Sequence, residues 1–175
     1  MGNKGNKGFT LIELAIVLVI IGILMGAILR GQELIKSAKG KNFFSKLQFV
    51  ASAQFTYLDR MGRYAGDTSN PPDGIIDDDA TAWTELEQQQ LVNDSDRRHV
   101  FNGQFSFGRS KGRYGNYNYI QATRIPAWVA QSIDTKIDDG VPNSGNVRWG
   151  NNTKGSASYP SDPNETRNLY WWFDR

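Results

Sequence analysis

The sequence predicts an α+β protein in which a long N-terminal helix packs against a small antiparallel β-sheet. No proline occurs between residues 9 and 60, so one continuous helix of about 52 residues can form there. The first half of that helix is apolar on every face, whereas the second half is apolar on one side only. Further along, two stretches of partly alternating apolar residues flank a glycine-rich turn, which is typical of a β-hairpin.

Length and composition suit one domain with an appended anchor, because the chain has 175 residues. Lys4 and Lys7 precede Gly8, so removal of residues 1–8 would reduce the 20 basic residues to 18, equal to the 18 acidic ones. Such a chain has no charge excess that would attract an acidic partner. There is no cysteine, which excludes disulfides, Cys-bound zinc and thiol nucleophiles, and His99 is the only histidine.

Residues 9–29 are predicted to cross a membrane once. As a helix they would be about 31 Å long, which is enough to cross the hydrocarbon core of a bilayer. The apolar region of a secretory signal peptide is shorter, at about 7–15 residues. A helix buried in the core of a soluble protein would be expected to carry polar residues within roughly six turns, whereas this segment has almost none.

Glu13 lies near the start of this apolar segment. A carboxylate near the middle of a membrane costs about 2.5–3.5 kcal/mol, and near the end of a span it costs less. Two interpretations remain open: the side chain reaches the membrane interface, or it meets a cation at the same depth. Cleavage before Phe9 would create such a cation, because a neighbouring copy with a small axial offset would present its new amine to Glu13.

The stretch "KGFTLIELAIVLVIIGIL", residues 7–24, resembles the N-terminal signature of type IV pilins and type II secretion pseudopilins. The resemblance implies cleavage between Gly8 and Phe9 by a prepilin peptidase, N-methylation of Phe9, and pairing of Glu13 with a neighbour's Phe9 amine. It also implies a single-pass subunit in the bacterial inner membrane, with its head outside the cytoplasm. An assembly platform with a cytoplasmic ATPase motor would then build a homo-oligomeric helical filament, periplasmic or on the cell surface. The residues expected in the filament core are Leu11, Ile12, Leu14, Ile16, Val17, Leu18, Ile20 and Ile21.

Four parts are therefore expected: a cleaved basic leader (1–8), a transmembrane and filament-core helix (9–29), its amphipathic continuation (30–61) and a globular α+β head (62–175). The apolar face of the continuation is predicted to contain Phe43, Phe44, Leu47, Val50, Ala51, Phe55, Leu58 and Met61. Gly22, Gly26 and Gly31 favour either close packing of membrane helices or local melting when the subunit leaves the lipid.

In the head, Asp78 or Asp79 is predicted to cap a helix over residues 80–92. Strands are expected over residues 100–107 and 114–125, near 147–149 and near 169–173. A second helix is expected over residues 126–138, with Pro126 in its first turn. The aromatic cluster of residues 171–173 is predicted to lie in the core or in a subunit interface.

Acidic residues of the loop before residue 80 and at the end of the second predicted helix are candidate Ca²⁺ ligands, because carboxylate oxygens are the ligands that calcium prefers. These residues are Asp73, Asp77, Asp134, Asp138 and Asp139. The resemblance adds that secretion pseudopilins use calcium where pilins use a disulfide. The alternative is that these residues form solvated loops and helix caps.

The predicted hairpin turn is basic, with Arg109, Lys111 and Arg113, but a nucleic-acid surface is disfavoured because the cleaved chain has no basic excess. The sequence contains no glycine-rich phosphate loop and no nucleophile elbow, so it predicts a protein that is not an enzyme. The predicted function is a structural subunit of a type IV pilus-like filament. The alternatives are a pseudopilin of a type II secretion system, or a minor tip pilin that binds DNA, a surface or a secreted substrate.

Overall fold

The long N-terminal helix predicted from the sequence is confirmed. The computed structural model describes residues 9–110 and 116–174, and in it helix α1 spans Leu11–Met61. The chain divides into two compact units, Met1–Lys39 and Gly40–Arg175, and α1 contributes to both. The second unit therefore begins inside α1, at Gly40.

In the first unit, all described side chains up to Arg30 are exposed. By length and composition, α1 is able to cross a membrane, and its most apolar stretch has no buried residue. Nothing in the described part of the chain covers these apolar side chains, as expected of a segment that is in contact with lipid or with other copies.

In the second unit, α1 presents one buried stripe to the head. Its side chains recur at the three- and four-residue spacing of a helix face, in the order Phe43, Leu47, Val50, Gln54 and Tyr57. Ala51 and Ala53 are also buried. The predicted face was too broad, because Phe55 and Met61 lie off this stripe and are 40% and 49% exposed.

Two further α-helices and a 3₁₀ helix (Asp94–Arg97) belong to the head. Helix α2 (Asp79–Gln88) is capped by Asp78, whose Oδ2 accepts a hydrogen bond from the Thr81 backbone N–H at 2.7 Å, so the predicted cap is confirmed. It ends at Gln88 rather than residue 92, because Gln90 takes a left-handed φ of 56°. The Leu91 N–H then bonds back to the Leu86 carbonyl at 3.0 Å, which is the Schellman pattern.

The third helix, α3 (Ala127–Ile137), agrees with the prediction within one residue at each end. Pro126 occupies its N-cap position, where the missing N–H of proline removes no intrahelical hydrogen bond.

Within the described residues, four strands form one antiparallel sheet in the order β1-β2-β4-β3. The strands are β1 (Phe105–Ser110), β2 (Tyr117–Pro126), β3 (Val147–Gly150) and β4 (Thr166–Trp171). The predicted β1–β2 hairpin is confirmed, although residues 111–115 of its turn lie outside the described part of the chain. Strand β4, from the predicted 169–173 region, pairs with both β2 and β3.

The core lies where the α1 stripe, α2, α3 and the sheet meet. Its largest fully buried apolar side chains are Trp149, Phe43, Phe105, Leu47, Ile76, Leu86, Ile120, Ile125 and Leu169. Trp172 is buried, and Trp171 and Phe173 pack partly buried against the core, which agrees with the core interpretation of the C-terminal aromatic cluster.

Two buried amide side chains hold the loop between α1 and α2. Gln54 accepts a hydrogen bond from the Ala65 N–H at 3.0 Å and donates one to the Ala65 carbonyl at 3.3 Å. Asn118, on β2, accepts from the Ile76 N–H at 2.8 Å and donates to the Gly74 carbonyl at 2.9 Å. These contacts satisfy backbone groups that no helix or strand pairs.

Candidate assembly segment and acidic loops

The first turn of α1 holds Glu13 through a reciprocal contact with Thr10. Glu13 Oε2 accepts hydrogen bonds from the backbone N–H and from the hydroxyl of Thr10, both at 2.8 Å. The backbone N–H of Glu13 donates to Thr10 Oγ1 at 3.3 Å. This arrangement is a capping box, which satisfies backbone donors that the start of a helix leaves unpaired.

The capping contact between Thr10 and Glu13 was not among the sequence predictions. The sequence does contain the pattern that indicates this contact. A threonine three residues before a glutamate, at the start of an apolar run, is typical of a capping box. Only Oε2 of Glu13 takes part in these contacts. Oε1 has no hydrogen-bond partner among the residues that the structure describes, so it remains able to meet a group from another molecule.

The residues predicted for the filament core are all exposed in the single chain. Their exposed fractions range from 45% at Ile21 to 87% at Leu11. The intermediate values belong to Ile12, Leu14, Ile16, Val17, Leu18 and Ile20. Phe9 is 84% exposed, whereas Gly8, on the other side of the predicted cleavage point, lies outside the described residues.

The candidate calcium ligands fall into two groups. In each, ligand atoms of three carboxylates lie within 4.8 Å of one another. Asp67 joins Asp73 and Asp77 in one group, and the other contains Asp134, Asp138 and Asp139. The five candidate ligands named from the sequence are therefore divided between two separate groups, and Asp67 is an additional member of the first.

The first group already has a cationic partner. Asp77 forms an ion pair with Arg109 at the end of β1. Asp67 is buried and accepts hydrogen bonds from the backbone N–H groups of Ser69 at 3.2 Å and Gly74 at 2.9 Å. These contacts fix the conformation of the loop and neutralise part of its charge.

In the second group, a buried carboxylate is crowded by like charges. Asp134 accepts hydrogen bonds from the Gly140 N–H at 3.0 Å and from the Tyr159 hydroxyl at 2.8 Å. Burial raises the pKa of Asp134, the two hydrogen bonds oppose that rise, and the negative charges of Asp139 and Asp138 add to it. Three hard oxygen donors around one point fit a divalent cation, which would relieve this repulsion.

The basic hairpin presents less free charge than its sequence indicates. Arg109 is engaged by Asp77, and Lys111 and Arg113 lie outside the described residues.

The described chain thus begins with an apolar helix that is able, by length and composition, to cross a membrane and that has a capped glutamate in its first turn. The family model of the prokaryotic N-terminal methylation motif matches residues 3–29. This match includes Gly8, Phe9 and Glu13 and confirms the resemblance to type IV pilins and pseudopilins. The N-terminal segment of the chain therefore carries the prokaryotic N-terminal methylation motif.

Among solved structures, the chain is similar to the major type IV pilin PilA1 from Clostridium difficile. The two share 15% sequence identity with a TM-score of 0.48, over 79% of this chain and 96% of that one. No curated protein matches the sequence.

Proposed function

We propose that this chain polymerises into a type IV pilus-like filament in which Glu13 of one copy pairs with the Phe9 amine of the next. The supporting observation is a carboxylate oxygen without a partner in the described chain, set in a helix whose apolar side chains are uncovered. Packing of such helices side by side would remove these side chains from contact with water or lipid.

The pairing follows from electrostatics. A charge buried among apolar helices without a partner destabilises a structure by roughly 3–5 kcal/mol. A neighbour's amine at the same depth removes that penalty, but only for copies at one axial offset. The pair therefore sets the register of the polymer.

The sequence features support a route to this polymer. A prepilin peptidase removes residues 1–8 at the inner membrane, and the head folds outside the cytoplasm. A platform with an ATPase motor then extracts the subunit. A type II secretion pseudopilin would use the same contacts in a shorter periplasmic filament. A minor tip pilin would present its head for binding.

Glu13→Ala and Glu13→Gln are expected to reduce filament yield at least about tenfold, because each leaves the neighbour's amine unpaired. The measurement is the amount of this chain in sheared surface material, together with the N-terminal mass of the membrane-bound pool. The head is expected to remain folded and the leader cleaved.

Two matched variants separate pairing from other roles of the carboxylate. Thr10→Val removes both hydrogen bonds of the Thr10 hydroxyl but keeps Glu13 and its contact with the backbone N–H of residue 10, so filaments should still form. Glu33→Gln removes another exposed carboxylate of α1 and should have no effect. If Thr10→Val abolishes filaments as fully as Glu13→Gln does, the role of Glu13 is local capping and the pairing is refuted.

We also propose that Ca²⁺ binds the group of Asp134, Asp138 and Asp139. Support comes from the crowding of these carboxylates, one of them buried, around one point. When bound, the ion would add positive charge beside these carboxylates, of which Asp139 already interacts with the positive charge of Arg148. It would thereby tie the end of α3 to the loop that leads to β3, where Asp138 Oδ2 accepts from the Val147 N–H at 2.7 Å.

Calcium at millimolar concentration is then expected to raise the melting temperature of the full chain in detergent by several degrees. Asp139→Asn should remove this shift. Asp162→Asn is the matched control, because Asp162 and Asp139 both accept a hydrogen bond from a backbone N–H two residues ahead. A calcium-induced shift that persists in Asp139→Asn would contradict this assignment.

A further inference from the structure

A polar cleft of about 690 Å³ opens where the turn over residues 99–103 meets the β1–β2 hairpin. Its lining residues are Arg98, His99, Asn102, Gly103, Gln104, Thr123 and Arg124. No carboxylate is among these described lining residues, so the cleft is locally positive in a head that has more acidic than basic residues.

Strand pairing places three of the lining side chains in a row. Arg98 forms an isolated antiparallel bridge with Gln104. On its other side, the Gln104 N–H donates to Thr123 Oγ1, and the Thr123 N–H donates to the Gln104 carbonyl, both at 3.1 Å. Side chains of residues directly opposite each other in a sheet lie on the same face.

A β-bulge directs Arg124 toward this row. The register between β2 and β4 shifts between Ala122 and Ile125, and Arg124 takes a left-handed φ of 59°. Regular alternation after buried Ala122 would bury residue 124, whereas here Ile125 is buried and Arg124 is exposed. A bulge that re-aims a side chain is typical of functional positions.

Neither arginine of the cleft has a carboxylate partner in the part of the chain that the structure describes. Arg63, Arg97, Arg109 and Arg167 each form an ion pair with an acidic side chain. The guanidinium of Arg98 has no hydrogen-bond or ion-pair partner within residues 9–110 and 116–174. Among the described residues, the Arg124 guanidinium donates only to the Asn102 carbonyl, at 3.5 Å.

His99 forms a buried, neutral part of the cleft wall. Its ring packs against Phe43 and Phe105, each with a centroid distance of 5.0 Å, and Nδ1 accepts from the Phe101 N–H at 3.3 Å. Burial lowers the pKa of His99 to about 4, so at neutral pH the charge of the cleft comes from its arginines. Nε2, beside Gly103, has no hydrogen-bond partner in the described part of the chain.

We propose that this cleft binds an acidic sugar, whose carboxylate is held by Arg98 and Arg124. Guanidinium groups bind a carboxylate through two parallel hydrogen bonds, which fixes its orientation. The amides of Asn102 and Gln104 and the hydroxyl of Thr123 supply donors and acceptors for ring hydroxyls. The volume of the cleft is within the range of small-molecule sites.

The test is a titration of the full-length, unassembled chain in detergent with D-galacturonic acid at neutral pH, followed by calorimetry or ligand-observed NMR. D-Galactose, the neutral counterpart, should not bind measurably. Arg98→Gln and Arg124→Gln should each weaken binding at least about tenfold, because each removes one side of the carboxylate contact. Arg60→Gln removes an exposed arginine at the end of α1, outside the cleft lining, and should leave the affinity unchanged.

Three results would overturn the proposal: no binding of galacturonic acid, equal binding of galactose, or equal weakening by Arg60→Gln. Displacement of the sugar by inorganic phosphate at equal concentration would also overturn it, because the cleft would then be a simple anion site. The titration needs no filament, so it succeeds or fails independently of the pairing of Glu13 with Phe9.

Discussion

At the scale of single residues, Gln54 illustrates why a polar side chain inside an apolar stripe is informative. It is fully buried, and its amide forms both hydrogen bonds that the backbone of Ala65 needs. Helical spacing predicted the apolar neighbours of Gln54 but not the role of Gln54 itself, because its partner is a loop backbone group that no periodicity indicates.

Gln54→Leu is expected to lower the free energy of unfolding by about 2–4 kcal/mol, because it leaves a buried N–H and a buried carbonyl unpaired. Urea denaturation of the full chain in detergent, followed by tryptophan fluorescence, reports on the head, since all five tryptophans lie beyond residue 80. Gln48→Leu is the matched control, because Gln48 is exposed on the same helix. An equally small effect of both substitutions would mean that the Ala65 backbone finds other partners.

At the scale of elements, the sequence predicted those helix boundaries that depend on neighbouring residues alone. The start of α1, the Asp78 cap and the extent of α3 follow from apolar spacing, capping chemistry and a proline, and all agree with the structure. The order β1-β2-β4-β3 depends on the pairing of β4 with β2 across about 45 residues, which no local pattern specifies.

The start of β1 shows two local signals in competition. Alternation of Phe101, Phe105 and Phe107 predicted a strand from residue 100, but the strand begins at Phe105. Asn102 adopts a left-handed φ of 56°, and the His99 N–H bonds to the Gly103 carbonyl at 3.2 Å, so this segment forms a tight turn. Asn-Gly is a strong turn signal, and here it outweighs the alternation.

The candidate functional residues also differ in whether the sequence could predict them. The leader, Phe9 and Glu13 could be recognised from the sequence because the whole motif is contiguous. The cleft could not be predicted, because Arg98 and Arg124 are far apart in sequence and only the bulge and the turn bring them together.

At the scale of the whole molecule, the free energy of unfolding depends on pH through several titratable groups of the head. Their contributions to this dependence have opposite signs. Burial lowers the pKa of His99 to about 4, with a smaller contribution from the positive charge of Lys46. Burial raises the pKa values of Asp134 and Asp174. The stability that these two aspartates contribute is present at low pH and is lost as the pH rises through their folded-state pKa.

His99 acts in the other direction. Between pH 6.5 and pH 4 the unfolded chain binds a proton at this imidazole and the folded chain does not, so the free energy of unfolding falls as the pH falls. Over that range the loss amounts to about 3 kcal/mol. The aspartates partly offset this loss, so the pH dependence of the wild type alone does not isolate the effect of His99.

Urea denaturation of the wild type and of His99→Gln at several pH values isolates it, because the difference between the two free energies of unfolding contains the contribution of His99. The wild type is expected to lose about 3 kcal/mol more than the variant between pH 7 and pH 4. Parallel curves would show instead that the imidazole accepts a proton in the folded head, and hence that the cleft wall is open to water.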